Sequence, residues 1–121
     1  MNVQVTTPEI GRRSEDAALR WLTEQGLQLR ARNFRCRRGE IDLVMQDGEC
    51  VVFVEVRYRR GSRFGSPAET IDGRKQSRLR IAAQYYLHLH ADAGRAPTRF
   101  DVVALRPGTT GLDFEWIKNA F

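Results

Sequence analysis

The dipeptide Asp47-Gly48 separates two strand-like runs, Ile41-Asp42-Leu43-Val44 and Val52-Phe53-Val54-Glu55-Val56-Arg57, and both runs carry carboxylates among residues suited to a buried strand. Asp-Gly in that setting is a strong hairpin signal, so the two runs are expected to pair antiparallel. With Asp47 and Gly48 as a two-residue loop, Gln46 faces Glu49, Val44 faces Val51, Asp42 faces Phe53 and Glu40 faces Glu55. Side chains alternate along a strand. Ile41, Leu43, Met45, Val52, Val54 and Val56 therefore share an apolar face that must meet a core, while Glu40, Asp42, Phe53, Glu55 and Arg57 look the other way. Asp42 and Glu55 become diagonal neighbours with backbones roughly 7–8 Å apart, so their side chains can lean together around one ion. A hard cation, Mg²⁺ or Mn²⁺, is the expected occupant, because Mg²⁺ is commonly held by one or two carboxylates with water and substrate phosphate. Glu40 opposite Glu55 adds a like charge that a cation or base must neutralise. The plain alternative is a half-exposed hairpin whose charged face is simply wet. Phe53 and the valines on that face argue that it is at least partly covered.

The 121 residues suit a single domain, 1–121, with a core of its own. No linker, repeat, low-complexity tract, bilayer-length apolar run or cleavable apolar leader is visible, so a cytoplasmic protein without a membrane partner is expected. Cys36 and Cys50 match neither zinc nor redox spacing and read as reduced bystanders, Cys50 falling beside the turn opposite Met45. The net charge is +5, and its placement says more than its sum. Between Arg30 and Arg80 there are 13 Lys or Arg against seven Asp or Glu, while the remainder has seven against eight, so all of the positive excess surrounds the acidic hairpin. Arginine supplies 18 of the 20 basic residues, and its planar fork can grip two phosphate oxygens at once. Nucleic acid is the partner this favours, against a merely solvated basic face.

Pro8 to Gln25 reads as a first helix, with Gly26 past its end and Ala18, Leu19 and Leu22 at helical spacing. Steps of three, four and seven from Glu15 reach those same residues, so this carboxylate points with the core face, unless it sits at the margin and pairs with Arg12 or Arg13. Leu27 to Arg35 reads as a strand, with Leu27, Leu29, Ala31 and Asn33 alternating against Gln28, Arg30, Arg32 and Phe34. Arg59 to Pro67 is a loop by its Gly, Ser and Pro content, and its Arg59, Arg60 and Arg63 are placed to clamp a phosphate backbone or to serve as ordinary surface. Asp72 caps a second helix reaching about His90, whose stripe of Leu79, Ala82, Ala83, Tyr86 and Leu87 packs on the sheet. Arg74, Lys75 and Arg78 give its first turns a positive face. His88 and His90 point to different sides of that helix, which argues against shared metal binding. Arg99 to Leu105 reads as an interior strand with a structural Asp101 at its mouth, and Asp113 to Lys118 as a last strand with Phe114 and Trp116 on one side. The order predicts an α/β protein, a mixed sheet with helices packed on it.

The arrangement of Glu15 in a first helix, GEIDLV at Gly39 to Val44 and VFVEVR at Val52 to Arg57 resembles the bacterial YraN family of restriction-endonuclease-like proteins. The likeness runs along nearly the whole chain, through GRRSEDAALRWL, RNFR, GSP, RFDVVAL and WIKNAF. It implies a restriction-endonuclease-like mixed β-sheet flanked by α-helices, distantly similar to archaeal Holliday-junction resolvases, with a metal-dependent nuclease site. By position, Asp42 and Glu55 would be the metal ligands and Glu15 the acid supplied by the first helix. Arg57 stands where the nuclease pattern usually has lysine, a departure that is not conservative at a site demanding a point charge.

The chemistry these readings point to is Mg²⁺- or Mn²⁺-dependent hydrolysis of phosphodiester bonds, with DNA the expected substrate. Asp42 and Glu55 would hold the metal, Arg57 would neutralise developing charge and Glu15 would assist. Few sequence-reading contacts are apparent, so selectivity for branched or single-stranded structure is expected by analogy with the family. Arg57 favours the rival reading, a nucleic-acid-binding module that keeps the nuclease fold without turnover. A third reading is a scaffold that forms a homodimer through the apolar segment Trp116 to Phe121.

Overall fold

The structure is a computed structural model and describes residues 6–60 and 71–121. Thr6, extended at φ −74° and ψ 160°, caps helix α1 (Thr7–Glu24) by accepting the Glu9 N–H at 3.3 Å. Pro8 lies in the first turn, where its missing donor is not needed. Gly26, at φ +102°, lets the chain leave the helix. Strands β1 (Gln28–Cys36), β2 (Gly39–Asp47) and β3 (Cys50–Tyr58) then form an antiparallel meander. Helix α2 (Gly73–Leu89) and a short 3-10 turn (Ala91–Ala93) lead to β4 (Thr98–Pro107), which runs parallel to β3, and β5 (Leu112–Ile117) closes the sheet antiparallel to β4. The sheet order is β1-β2-β3-β4-β5.

The two helices cover opposite faces. Ala18 and Leu22 of α1 pack with Leu27, Leu43, Met45, Val52, Val54 and Val103, and Trp21 of α1 meets Phe114 and Trp116 of β5. Leu79, Ala82, Ala83 and Tyr86 of α2 pack with Ile41, Val44, Val51, Phe53 and Val102. Phe53 is 2% exposed, so the charged side of the hairpin is not a wet face. Val51 to Glu55 and Asp101 to Leu105 are buried throughout, as strands covered on both faces must be.

Three details differ from the expectation. The turn is centred on Gly48-Glu49 rather than Asp47-Gly48, with pairs Asp47↔Cys50, Gln46↔Val51 and Val44↔Phe53. Gly48 has φ +59° and is the turn's one positive-φ residue. This is the pattern of a type II′ turn, which puts the glycine first; a type I′ turn on Asp47-Gly48 would also have forced Asp47 into the left-handed region. The register consequently moves by two residues, which preserves the faces but changes the partners. Cys50 lies opposite Asp47 instead of Met45, and Glu40 lies opposite Arg35 of β1 with no Glu55 across from it. Second, Ile41 packs on the α2 side while Leu43 and Met45 pack on the α1 side. The alternation breaks at Asp42, beside Asn33, whose φ of +51° twists β1 between the pairs Arg32↔Leu43 and Phe34↔Ile41. Third, the β1 register slips between Leu29 and Ala31, leaving Leu29 45% exposed. Arg30 is turned inward and donates to the Tyr86 hydroxyl at 2.8 Å and to Gln46 Oε1 at 2.8 Å.

Candidate functional site

Pairing between β2 and β3 is continuous from the turn to Leu43↔Val54 and stops there. One more step along the ladder brings Asp42 to Glu55. Beyond that point the Val56 N–H donates to Asp42 Oδ2 at 2.8 Å rather than to a β2 carbonyl, so the aspartate side chain wedges open the end of the hairpin. The two acids that the sequence places diagonally thus stand across from each other at the fork, and both line one cleft of about 540 Å³.

Burial and a neighbouring carboxylate both act on Asp42 in this fork. Burial, then the charge of Glu55, push the Asp42 carboxyl up to about 7 against the lowering effect of the Val56 N–H, with Glu15 and Glu40 adding to the rise. Glu55 is 8% exposed. Its Oε1 accepts from Lys75 Nζ of α2 at 3.1 Å, and Arg57 Nε lies 3.8 Å from the same oxygen. Glu15 approaches from α1, half-buried, with a carboxyl raised chiefly by burial and eased by a hydrogen bond from Asn33 and by Arg32. Among the described residues, buried Glu15 Oε1, 3.8 Å from Arg32 Nη2, and buried Arg57 Nε have no hydrogen-bond partner. Leaving such an atom unsatisfied costs about 1–3 kcal/mol.

Among the described residues, no three His, Cys, Asp or Glu side chains converge into a ready-made cage. The donor set is two carboxylates with room for water. That suits Mg²⁺ or Mn²⁺ and not a structural zinc, since Mg²⁺ keeps several waters and takes only one or two carboxylates. A divalent ion between Asp42 and Glu55 would relieve the like-charge crowding that raises the Asp42 carboxyl. The residues present fit the ion.

Basic groups rim the same cleft. Lys75 and Arg78 line it from α2, with exposed Arg74 one residue before Lys75. Arg35 at the end of β1 and Arg37 and Arg38 in the turn to β2 line it from the other side. These last three were not singled out from the sequence, although the run Arg35-Cys36-Arg37-Arg38 directly before Gly39-Glu40-Ile41-Asp42 was the available signal. Arg59 is tied to the end of the sheet, its N–H donating to the Leu105 carbonyl and its Nη1 to the Tyr58 carbonyl, and it does not line the acidic cleft. Arg60 lines a different hollow with Ile10, Arg13, Ser14 and Tyr58. Arg63 lies outside the described residues. Cys36 and Cys50 are both free thiols. Among the described residues no helix is long and apolar enough to cross a membrane.

A five-stranded mixed sheet with a helix on each face, carrying paired acids at the fork of an internal hairpin, defines an α/β protein of the restriction-endonuclease-like class. The family model described as "Uncharacterised protein family UPF0102" matches residues 14–105. A UPF0102 protein of Pseudomonas putida strain F1 is 54% identical over 112 residues, covering 92% of this chain and 91% of the relative. One from Stutzerimonas stutzeri strain A1501 is 50% identical over 111 residues, covering 92% of each chain. A third, from Pseudomonas fluorescens strain Pf-5, is 46% identical over 121 residues and covers 98% of each. The chain belongs to the UPF0102 family, the same family that the YraN resemblance names. The relatives' names state a family and no reaction.

Proposed function

We propose that the chain is a metal-dependent endonuclease that hydrolyses phosphodiester bonds in DNA, selecting branched or single-stranded structure over base sequence. The observation that carries this reading is the opposition of Asp42 and Glu55 at an opened hairpin end, inside a cleft walled by Arg35, Arg37, Arg38, Lys75 and Arg78. Asp42 and Glu55 would hold Mg²⁺ or Mn²⁺. When bound, such an ion supplies Lewis acidity toward a phosphate oxygen and acidifies a water. The remaining work falls to the chain itself. The Val56 N–H fixes the Asp42 carboxylate, and burial under α2 fixes that of Glu55. Arg57, 18% exposed on the same strand and permanently protonated, adds fixed positive charge beside the reacting phosphate but cannot accept a proton. Glu15, whose buried Oε1 has no hydrogen bond and lies 3.8 Å from Arg32 Nη2, would assist from the first helix by orienting a water. The arginines track the backbone and carry no base code, which supports recognition by shape.

A second reading, a binding module without turnover, is favoured by Arg57 in the lysine position. Incubating the purified chain with branched, flapped, single-stranded and duplex DNA in Mg²⁺ and in Mn²⁺, beside Glu55→Ala, separates the two. Cleavage of a branched or single-stranded substrate that is lost in Glu55→Ala is the expected outcome. Gel retardation of the same substrates with no nicking in either metal favours the module, and cleavage unchanged in the variant rejects the site.

A further inference from the structure

Lys75 occupies a position that helix physics disfavours. The first turn of α2 holds no acidic residue; it holds Arg74 and Lys75, cations at the positive end of the helix dipole, where an anion would be stabilising. The helix tolerates them because Asp72 caps it, accepting the Lys75 N–H at 2.8 Å. The base of Lys75 is thereby fixed. It is fixed again by Gly39, where an added Cβ would come within 2.7 Å of the Arg78 carbonyl oxygen, so α2 lies directly against the start of β2. From this anchored base a flexible four-carbon stem carries Nζ to Glu55 Oε1 at 3.1 Å.

Two cations therefore share one oxygen, and they differ in freedom. Arg57 is 18% exposed and grows from the strand itself, with Nε at 3.8 Å and, among the described residues, no hydrogen bond from that nitrogen. Lys75 is 40% exposed and comes from the mouth of the cleft. Arg57 is the more covered of the two, and Lys75, at the mouth of the cleft, is the more exposed.

We infer that Lys75 is the exchangeable counter-charge of the site: its ammonium, which contacts Glu55 Oε1, would give up Glu55 when the carboxylate holds a divalent cation and would turn to a non-bridging phosphate oxygen of the substrate. It restores from a helix the point charge that Arg57 cannot provide from the strand, as a positioning residue for Glu55 that becomes a phosphate contact. This inference rests on the hydrolytic reading above.

The test is Mn²⁺ binding by titration calorimetry on the full chain, paired with cleavage of branched DNA. Lys75→Met removes a competitor for Oε1, so Mn²⁺ should bind about three- to fivefold more tightly, while cleavage at saturating Mn²⁺ falls about a hundredfold. Lys75→Arg, which keeps a charge, should return Mn²⁺ affinity to that of the wild type. Lys75→Gln serves as a second neutral variant should Lys75→Met fold poorly. A merely structural lysine would weaken affinity and cleavage together. Unchanged or weaker Mn²⁺ binding in both neutral variants, with the wild type binding and cleaving normally, overturns the inference alone. A wild-type chain that takes up no Mn²⁺ overturns the inference and the hydrolytic reading together.

Discussion

Asp42 holds a proton in the folded chain at pH values where an unfolded aspartate has lost it, because burial and the neighbouring Glu55 push its carboxyl up to about 7. The folded state therefore binds more protons than the unfolded state between roughly pH 4 and pH 7, and stability must fall as the pH rises through that window. The loss should be on the order of a few kcal/mol. Without metal, the melting temperature is expected to drop between pH 5 and pH 8. Asp42→Asn, whose amide oxygen can still accept the Val56 N–H, should flatten that drop, and Mn²⁺ should raise the melting temperature of the wild type more at pH 8 than at pH 5. Scanning calorimetry across the range checks all three; a wild type that gains stability toward pH 8 without metal contradicts the assignment. Asp101 is the contrasting acid. It is 0% exposed yet accepts from Arg99 Nε at 3.0 and 3.1 Å, from Trp116 Nε1 at 2.9 Å and from the Asn119 N–H at 2.9 Å. Saturated in this way, it joins β4, β5 and the C-terminal segment and has no capacity left for a ligand. Asp101→Ala should cost about 3 kcal/mol in denaturant unfolding by stranding its donors, with Mn²⁺ affinity unchanged in the folded fraction.

The elements that were legible in the sequence are those whose patterns are local. The stripe Ala18, Leu19, Leu22 and the stripe Leu79, Ala82, Ala83, Tyr86 placed both helices, and Asp72 placed the start of α2. The acidic hairpin was legible because two apolar alternations flank an Asp-Gly. Its register was not, since an Asp-Gly serves a turn with glycine second or, as here, glycine first, and only the packed sheet decides. The twist at Asn33 and the slip near Leu29 were hidden for the same reason: both are fixed by contacts distant in sequence, such as Arg30 with Tyr86. The packing of α2 against Gly39 was equally invisible. Gly39→Ala forces a new Cβ to within 2.7 Å of backbone, which a flexible side chain cannot absorb. It should destabilise the fold by about 1–3 kcal/mol in chemical denaturation and, by displacing Lys75 and Arg78, weaken DNA binding in the folded fraction. Gly48→Ala meets no atom within 4 Å and suffers only its positive φ, so it should lose stability without losing DNA affinity.

At the scale of the whole molecule, the positive excess and the buried acids belong to one device. Five basic side chains, Arg35, Arg37, Arg38, Lys75 and Arg78, line a cleft together with the covered Asp42 and Glu55 and the exposed Glu40, which pairs with Arg35 at 3.3 Å. On the proposed reading such a rim would concentrate phosphate and the acids would repel it until a cation intervened, which would couple binding to chemistry through charge. If all five neutralise phosphates, log affinity for DNA should fall against log salt with a slope of about 3.5 to 4.5 in magnitude. The double variant Arg37→Ala, Arg38→Ala should reduce that slope by roughly 1.4 to 1.8 with little change in melting temperature. Fluorescence anisotropy over a salt series measures it, and an unaltered slope would remove the β1–β2 turn from the interface. The proposed chemistry depends on a cation shared by Asp42 and Glu55, and the most direct measurement is the anomalous difference density of a crystal grown or soaked with Mn²⁺. A single strong peak in inner-sphere contact with oxygens of both Asp42 and Glu55, absent in Asp42→Asn, is the expected result. A peak bound by other residues, or an empty fork at saturating Mn²⁺ with the two carboxylates turned apart, would contradict it.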